Sequence, residues 1–263
     1  MCKLAFVKTK DDTAYQRCID MIRFQENVVA GHSTGIVWRD SSGFHSRKAI
    51  GKINSFLAKY SDIPKSNAAL GHSRFATVGE INLANQHPIS IMFKGHKIGY
   101  GVHNGTFTDY KKYEYLRSDI ENQTDSALLF TMFGKLLEKL GDSPVNRRIA
   151  FGYIMSLIKK EGNHNLIIMF RNGQTIFSGN SLTYKQGENA IGIMTFGFDE
   201  KCNDDFIYEV KGFSVNKFEY FESPFKFKPK EPKKVVHSTR FDSCNIKPGR
   251  FTYYDYDTEG WSE

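Results

Sequence analysis

Met1-Cys2-Lys3-Leu4-Ala5-Phe6-Val7 opens the chain, and its second residue governs how the rest is read. Cysteine is small, so removal of Met1 is expected, and it leaves Cys2 with a free α-amine. One residue then carries both a nucleophile and a base. An α-amine titrates at roughly 7.7–8.0, so a useful fraction is neutral at physiological pH. A terminal amine can activate an adjacent thiol or hydroxyl. Taken alone, Cys2 is read more simply as a small apolar residue starting a strand. Three later stretches change that reading.

The chain has 263 residues, enough for one large domain or two small ones, and 40% hydrophobic residues supply a substantial core. The net charge is +7, with much of the excess in one late stretch. No run approaches the ~20 apolar residues of a membrane span. The N-terminus lacks a signal peptide's apolar region. No membrane association and a cytoplasmic location are therefore expected. Cys2, Cys18, Cys202 and Cys244 are scattered, with neither metal-ligand spacing nor a disulfide framework. There is no phosphate-binding loop of the Walker type, and Gly99-Tyr100-Gly101 fails the dinucleotide fingerprint at its third glycine. No cofactor and no metal are expected.

Along the chain, Cys2 to Val7 reads as a strand, apolar at Cys2, Leu4 and Phe6. Ala14, Cys18, Met21, Ile22 and Val29 lie near helical spacing. Ile36-Val37-Trp38 is a strand that can pair with the Phe44 stretch across Ser41-Ser42-Gly43. Ile50 to Tyr60 reads as a helix, and Ile89–Phe93 with Lys97–Val102 as a hairpin. A short helix is expected from Thr108 to Arg117. Thr124 caps a longer helix after it, and Ser143-Pro144 starts another, to about Lys160. Asn172-Gly173 closes a hairpin between Asn165–Arg171 and Gln174–Ser178. Ala190–Phe196 is a strand, and Val215–Tyr220 reads as the last one. From residue 223 the chain is basic and contains prolines, so residues 223–263 are expected to be an extension. Lysines alternating with phenylalanines there would also suit a phosphate backbone. A partner-docking tail is the expectation, with nucleic acid as the weaker alternative.

Three stretches carry chemistry. In Gly71-His72-Ser73-Arg74-Phe75-Ala76-Thr77-Val78-Gly79 an arginine ends a short apolar strand, and arginine holds a carboxylate bidentately. In Val102-His103-Asn104-Gly105 the Asn amide and the next backbone N–H can face a developing oxyanion, although Asn-Gly after a strand is also an ordinary turn. In Thr124-Asp125-Ser126 the Asp125 carboxylate suits either the helix dipole or a substrate ammonium. Arg74 and Asp125 together match the two charges of a free amino acid. With Cys2 and Asn104-Gly105 they suit attack on the side-chain amide of glutamine.

The same stretches, in this order and with Asn85-Gln86-His87-Pro88 between them, resemble the class II glutamine amidotransferase domain over roughly residues 2–222. That resemblance implies a four-layer α/β/β/α sandwich of two largely antiparallel sheets, an α+β fold of N-terminal-nucleophile hydrolases. It implies Cys2 as nucleophile with its own amine as base, and Asn104 and Gly105 as the oxyanion hole. Arg74 and Asp125 would hold the glutamine carboxylate and amino group, and Phe75, Thr77 and His87 would line or brace the pocket. Glutamine would become glutamate and ammonia through a γ-glutamyl thioester.

There are departures from the family pattern. Ala30 and His32 flank the turn glycine where an arginine is common, Phe75 replaces a frequent tryptophan, and Val78 replaces a histidine of sugar-forming members. Residues after 222 are too few for a synthase domain, so a separate ammonia-accepting synthase is expected, in nucleotide, nucleic-acid-base or sugar modification. Two rival readings are an N-terminal-nucleophile hydrolase of another amide and a non-catalytic interaction module with this fold.

Overall fold

The computed structural model describes residues 2–28, 31–117, 121–220 and 223–230, and the backbone of 233–236, 252–255 and 261–262. Met1, Val29, Ala30, Cys244, Phe251 and Tyr256 fall outside the described residues.

Strand β1 (Lys3–Thr9) shows why the architecture has four layers. It is buried along most of its length, so both of its faces need cover. Leu4 and Phe6 point into one apolar cluster, while Ala5 and Val7 point into another. This period-2 alternation puts a sheet on one side and helices on the other.

The strands are β2 (Ser33–Asp40), β3 (Gly43–Ile50), β4 (Ala68–Arg74), β5 (Ile89–Phe93), β6 (His96–Asn104), β7 (Asn165–Phe170), β8 (Thr175–Gly179), β9 (Thr183–Gln186), β10 (Ala190–Met194), β11 (Glu200–Lys201), β12 (Phe206–Lys211) and β13 (Ser214–Glu219). They form one sheet in the order β11-β9-β10-β1-β4-β2-β3 and a second in the order β13-β12-β8-β7-β6-β5. Neighbours in both pair antiparallel.

Leu4, Phe6, Val37 and Leu70 of the first sheet meet Tyr100, Val102, Ile167, Met169 and Phe177 of the second. Helices α1 (Ala14–Glu26) and α2 (Ile53–Lys59) cover the outer face of the first sheet through Tyr15, Cys18, Ile22 and Phe56. Helices α3 (Asp125–Leu140) and α4 (Pro144–Ile158) cover the second through Leu128, Phe133, Phe151 and Ile154. The expected α/β/β/α sandwich is the fold of the chain.

The caps follow the sequence. Thr124 Oγ1 accepts the Ala127 N–H at 3.1 Å, and Ser143 Oγ accepts that of Asn146 at 3.2 Å. Two expectations need correction. Thr108–Leu116 is a 3₁₀ helix rather than an α-helix. Val215–Tyr220 is not the last strand: Lys226–Phe227 forms a short one, with Phe227 buried and its N–H donated to the Tyr153 hydroxyl at 2.8 Å. Among the described residues no helix is long and apolar enough to cross a membrane.

Candidate active site

The register of the first sheet assembles half of the site. Lys3 pairs with Ser73 across β1 and β4, so Cys2 and Arg74 emerge side by side, one at the start of a strand and the other at the end of its neighbour. The second sheet contributes the end of β6, where His72 Nε2 lies 3.2 Å from the His103 carbonyl and bridges the sheets. The N-terminus of α3 contributes Asp125. A small cleft results, lined by Cys2, Arg74, Phe75, Thr77, Val78, His87, His103, Gly105, Thr124, Asp125 and Ser126. All the residues expected from the sequence line it except Asn104. That residue is buried at the end of β6, between the lining residues His103 and Gly105.

The Cys2 thiol is held by one residue. The Phe75 N–H donates to Sγ at 3.3 Å, and Sγ donates to the Phe75 carbonyl at 3.5 Å. Burial of the sulfur pushes the thiol pKa up, and the Phe75 amide opposes this by favouring the thiolate.

The Arg74 guanidinium is hydrogen-bonded within its own loop. Its Nη1 donates to the Glu80 carbonyl at 3.0 Å, and its Nη2 to the carbonyls of Val78 at 2.6 Å and Gly79 at 3.4 Å. The guanidinium therefore braces its own loop and keeps only its remaining N–H donors for a ligand. Thr77 Oγ1 lies 3.4 Å from Thr106 Oγ1, which ties this loop to the residue after Gly105.

Asp125 also braces the site. Its Oδ2 accepts the Phe107 N–H at 2.6 Å, fixing the backbone just past Gly105. Burial nonetheless pushes its carboxyl pKa up against that hydrogen bond.

Along and behind the cleft lies a histidine cluster, of which the sequence alone assigned a site role only to His87. His72, His87, His103 and His164 are all buried. The His103 and His164 rings are nearly parallel with centroids 5.3 Å apart, and Nε2 of the first lies 3.0 Å from Nδ1 of the second, an edge-to-edge contact. His103 Nδ1 pairs with Ser126 Oγ at 2.9 Å. Burial lowers the pKa of His72 and His103 to about 3 and of His164 to about 4, and lowers that of His87 as well. All four rings are thus neutral. His103 and His164 lie 61 positions apart, so no local pattern announces the pair. Among the described residues no group of His, Cys, Asp or Glu is arranged to hold a metal.

Gly105 rests against this pair. Its φ is +154°, and an added Cβ would collide with His164 Nδ1 and lie 2.8 Å from His103 Nε2. Gly105→Ala is therefore expected to displace the local amide and cut turnover by about 10²-fold. Steady-state kinetics check this, with circular dichroism to confirm folding.

The neutral histidines set an acid limit. Their folded pKa values lie below the ordinary 6.5, so the unfolded chain takes up protons first as pH falls. Stability is full above about 6.5 and declines through the window down to about 3–4. Between pH 7.5 and 5.5, His72 and His103 are each expected to cost on the order of 1 kcal/mol, and the lowered pKa values of His87 and His164 act in the same direction. Urea unfolding at the two pH values measures the loss.

The sequence profile described as "Glutamine amidotransferases class-II" matches residues 37–187, more than half of the chain. The chain belongs to this family. Glutamine–fructose-6-phosphate aminotransferase (isomerizing) of Oceanobacillus iheyensis is 32% identical over 131 residues, 48% of this chain and 20% of that protein. The putative glutamine amidotransferase YafJ of Escherichia coli K12 is 34% identical over 122 residues, 44% of this chain and 48% of that one. The matched segments thus span between a fifth and about half of these relatives.

Among solved structures, glutamine phosphoribosylpyrophosphate amidotransferase from B. subtilis superposes with a TM-score of 0.62 at 14% identity, over 83% of this chain and 49% of that one. A glutamine aminotransferase class-II domain protein from Silicibacter pomeroyi gives a TM-score of 0.57 at 12% identity, over 84% of this chain and 100% of that one. At such identities the likeness is one of fold. Every lining residue of the cleft between Arg74 and Ser126 falls inside the segment matched by the class-II amidotransferase profile. Cys2 lies before it.

Proposed function

We propose that the chain hydrolyses L-glutamine to glutamate and ammonia. One observation carries the reading: Cys2, Arg74, Gly105 and Asp125, from two sheets and a helix N-terminus, line one small cleft. With Met1 removed, the Cys2 amine takes the thiol proton and the thiolate attacks the side-chain amide carbon. The oxyanion is met by the Gly105 N–H and the Asn104 amide. The amine's proton passes to the departing nitrogen, ammonia leaves, and a γ-glutamyl thioester remains. Water then attacks the thioester with the amine again acting as base, the C–S bond breaks, and the amine returns the proton to the Cys2 sulfur as glutamate leaves. Arg74 receives the substrate carboxylate with its remaining N–H donors, and Asp125 receives the ammonium. Thr77 and His87 shape the walls.

We assign this chemistry to residues 2–222 and a reducing, cytoplasmic setting that keeps the thiol free. Residues 223–263 would serve as a docking extension, first anchored where Phe227 meets Tyr153. The ammonia would pass to a separate synthase that modifies a sugar, a nucleotide or a nucleic-acid base. A sugar phosphate appears in the name of one relative and a phosphoribosyl group in that of one structural neighbour.

The test is glutamate release by the purified full chain from glutamine and from N-acetylglutamine, with the intact mass determined in parallel. Expected are a mass lacking Met1, turnover of glutamine, and negligible turnover of the acetylated form, which cannot pair with Asp125. Equal turnover of both would mean that the cleft reads another amide. Retention of Met1 without activity would favour the non-catalytic module.

A further inference from the structure

The turn that leads into β2 is fastened to the cleft by a residue to which the sequence reading assigned no role. The His32 N–H donates to the Arg74 carbonyl at 2.7 Å. His32 Nδ1 accepts the Ala76 N–H at 3.1 Å. Its ring stacks on Phe75, with centroids 4.6 Å apart and planes 27° apart. His32 thus grips three consecutive residues, and the middle one brackets the Cys2 sulfur with both its N–H and its carbonyl.

We propose that His32 is a positioning residue for the Cys2 nucleophile, holding the Arg74–Phe75–Ala76 backbone so that the Phe75 N–H stays aimed at Sγ. This rests on the reading of Cys2 as the nucleophile of glutamine hydrolysis.

The physical need is clear from the surroundings. Phe75 is 37% exposed, so burial of its own side chain does little to fix its backbone. Downstream, the loop is tied by Arg74 to residues 78–80 and by Thr77 to Thr106. Those contacts do not involve the N–H or the carbonyl of Phe75 itself. The His32 backbone bond fixes one side of Phe75 and the His32 ring fixes the other. The Phe75 N–H is a fixed dipole that stabilises negative charge on sulfur as the proton leaves. A displacement of a fraction of an ångström would remove that stabilisation while leaving the substrate's carboxylate and ammonium contacts in place. His32 therefore acts on the chemical step rather than on binding.

Two substitutions separate the ring from its acceptor nitrogen. His32→Phe keeps the stack on Phe75 and removes the acceptor. His32→Asn removes the stack and places a side-chain oxygen close to the former Nδ1. The full-length protein is assayed for kcat and KM with glutamine. The rate of Cys2 alkylation by iodoacetamide is followed by peptide mass spectrometry.

H32F is expected to lower kcat by about 10- to 100-fold with KM within about threefold of wild type, and to slow Cys2 alkylation in parallel. H32N is expected to return both to within about threefold of wild type. Should H32F not fold, Ala76→Pro removes the same hydrogen bond from its donor side and is expected to give the same losses. The proposal is overturned if the variant lacking the bond matches wild type, or if H32F and H32N are equally impaired. A wild-type protein that releases no glutamate would instead sink the glutaminase reading, and the alkylation rates would still judge His32.

Discussion

Cys2→Ala is expected to reduce glutamate release by about 10⁴-fold or more, because the bond-making atom itself is removed. The other thiols described in the structure offer no substitute. Cys18 packs under Gly71 with its sulfur toward the Ala5 carbonyl, and Cys202 sits in the core between the sheets. Burial pushes both thiols up, Cys202 to about 12, so neither supplies thiolate near neutrality. The variant should keep its fold, since only a sulfur atom is lost at a partly exposed residue just before the chain's first strand. It should also still bind glutamine, because Arg74 and Asp125 are untouched. Calorimetric titration that shows glutamine binding without turnover is the expected pair of results. Turnover near the wild-type rate in C2A would remove the nucleophile from the mechanism.

The sequence disclosed those parts of the molecule whose physics is local. Leu4 and Phe6 alternate with Ala5 and Val7, and that period of two became a strand covered on both faces. Thr124 and Ser143 announced helix starts because a cap needs only a side-chain oxygen and the N–H three residues on. Asn172-Gly173 announced a hairpin because its backbone demand falls on two neighbouring residues.

What stayed hidden depends on contacts between distant segments. His164 is unremarkable until β7 pairs with β6 and brings it under Gly105. His32 gains its role only when β4 ends beside the turn before β2. Arg74 shows both sides of the limit. Its residue type and position pointed to a carboxylate, and nothing local could say that much of its guanidinium is engaged by its own loop. The strand at Lys226–Phe227 was obscured by the lysines and prolines around it. One buried phenylalanine outweighed the surrounding composition.

Asp125→Asn is expected to separate stability from function. The Asp125 carboxyl is buried and its pKa is raised above the usual carboxylate value by that burial. A raised folded pKa means that the native state binds the proton more tightly than the unfolded chain does. Its favourable contribution is therefore full below the ordinary value near 3.8 and is lost as pH rises through the folded pKa. Above its folded pKa the buried Asp125 is a carboxylate held at a cost that a neutral amide avoids. The Asn side-chain oxygen can still accept the Phe107 N–H, so the backbone beyond Gly105 stays braced. D125N should thus melt above wild type at pH 7.5, each kcal/mol relieved being worth about 2–4 °C in a domain of this size. The advantage should shrink as pH falls through the folded pKa of Asp125. Loss of the charge opposite the substrate ammonium should cost about 2–5 kcal/mol, or roughly 30- to 5,000-fold in kcat/KM for glutamine. Thermal melts across pH, run beside glutamine kinetics, measure the two effects on the same protein. A variant both less stable than wild type and fully active would show that Asp125 serves as a structural cap and not as the site's partner for an amino group.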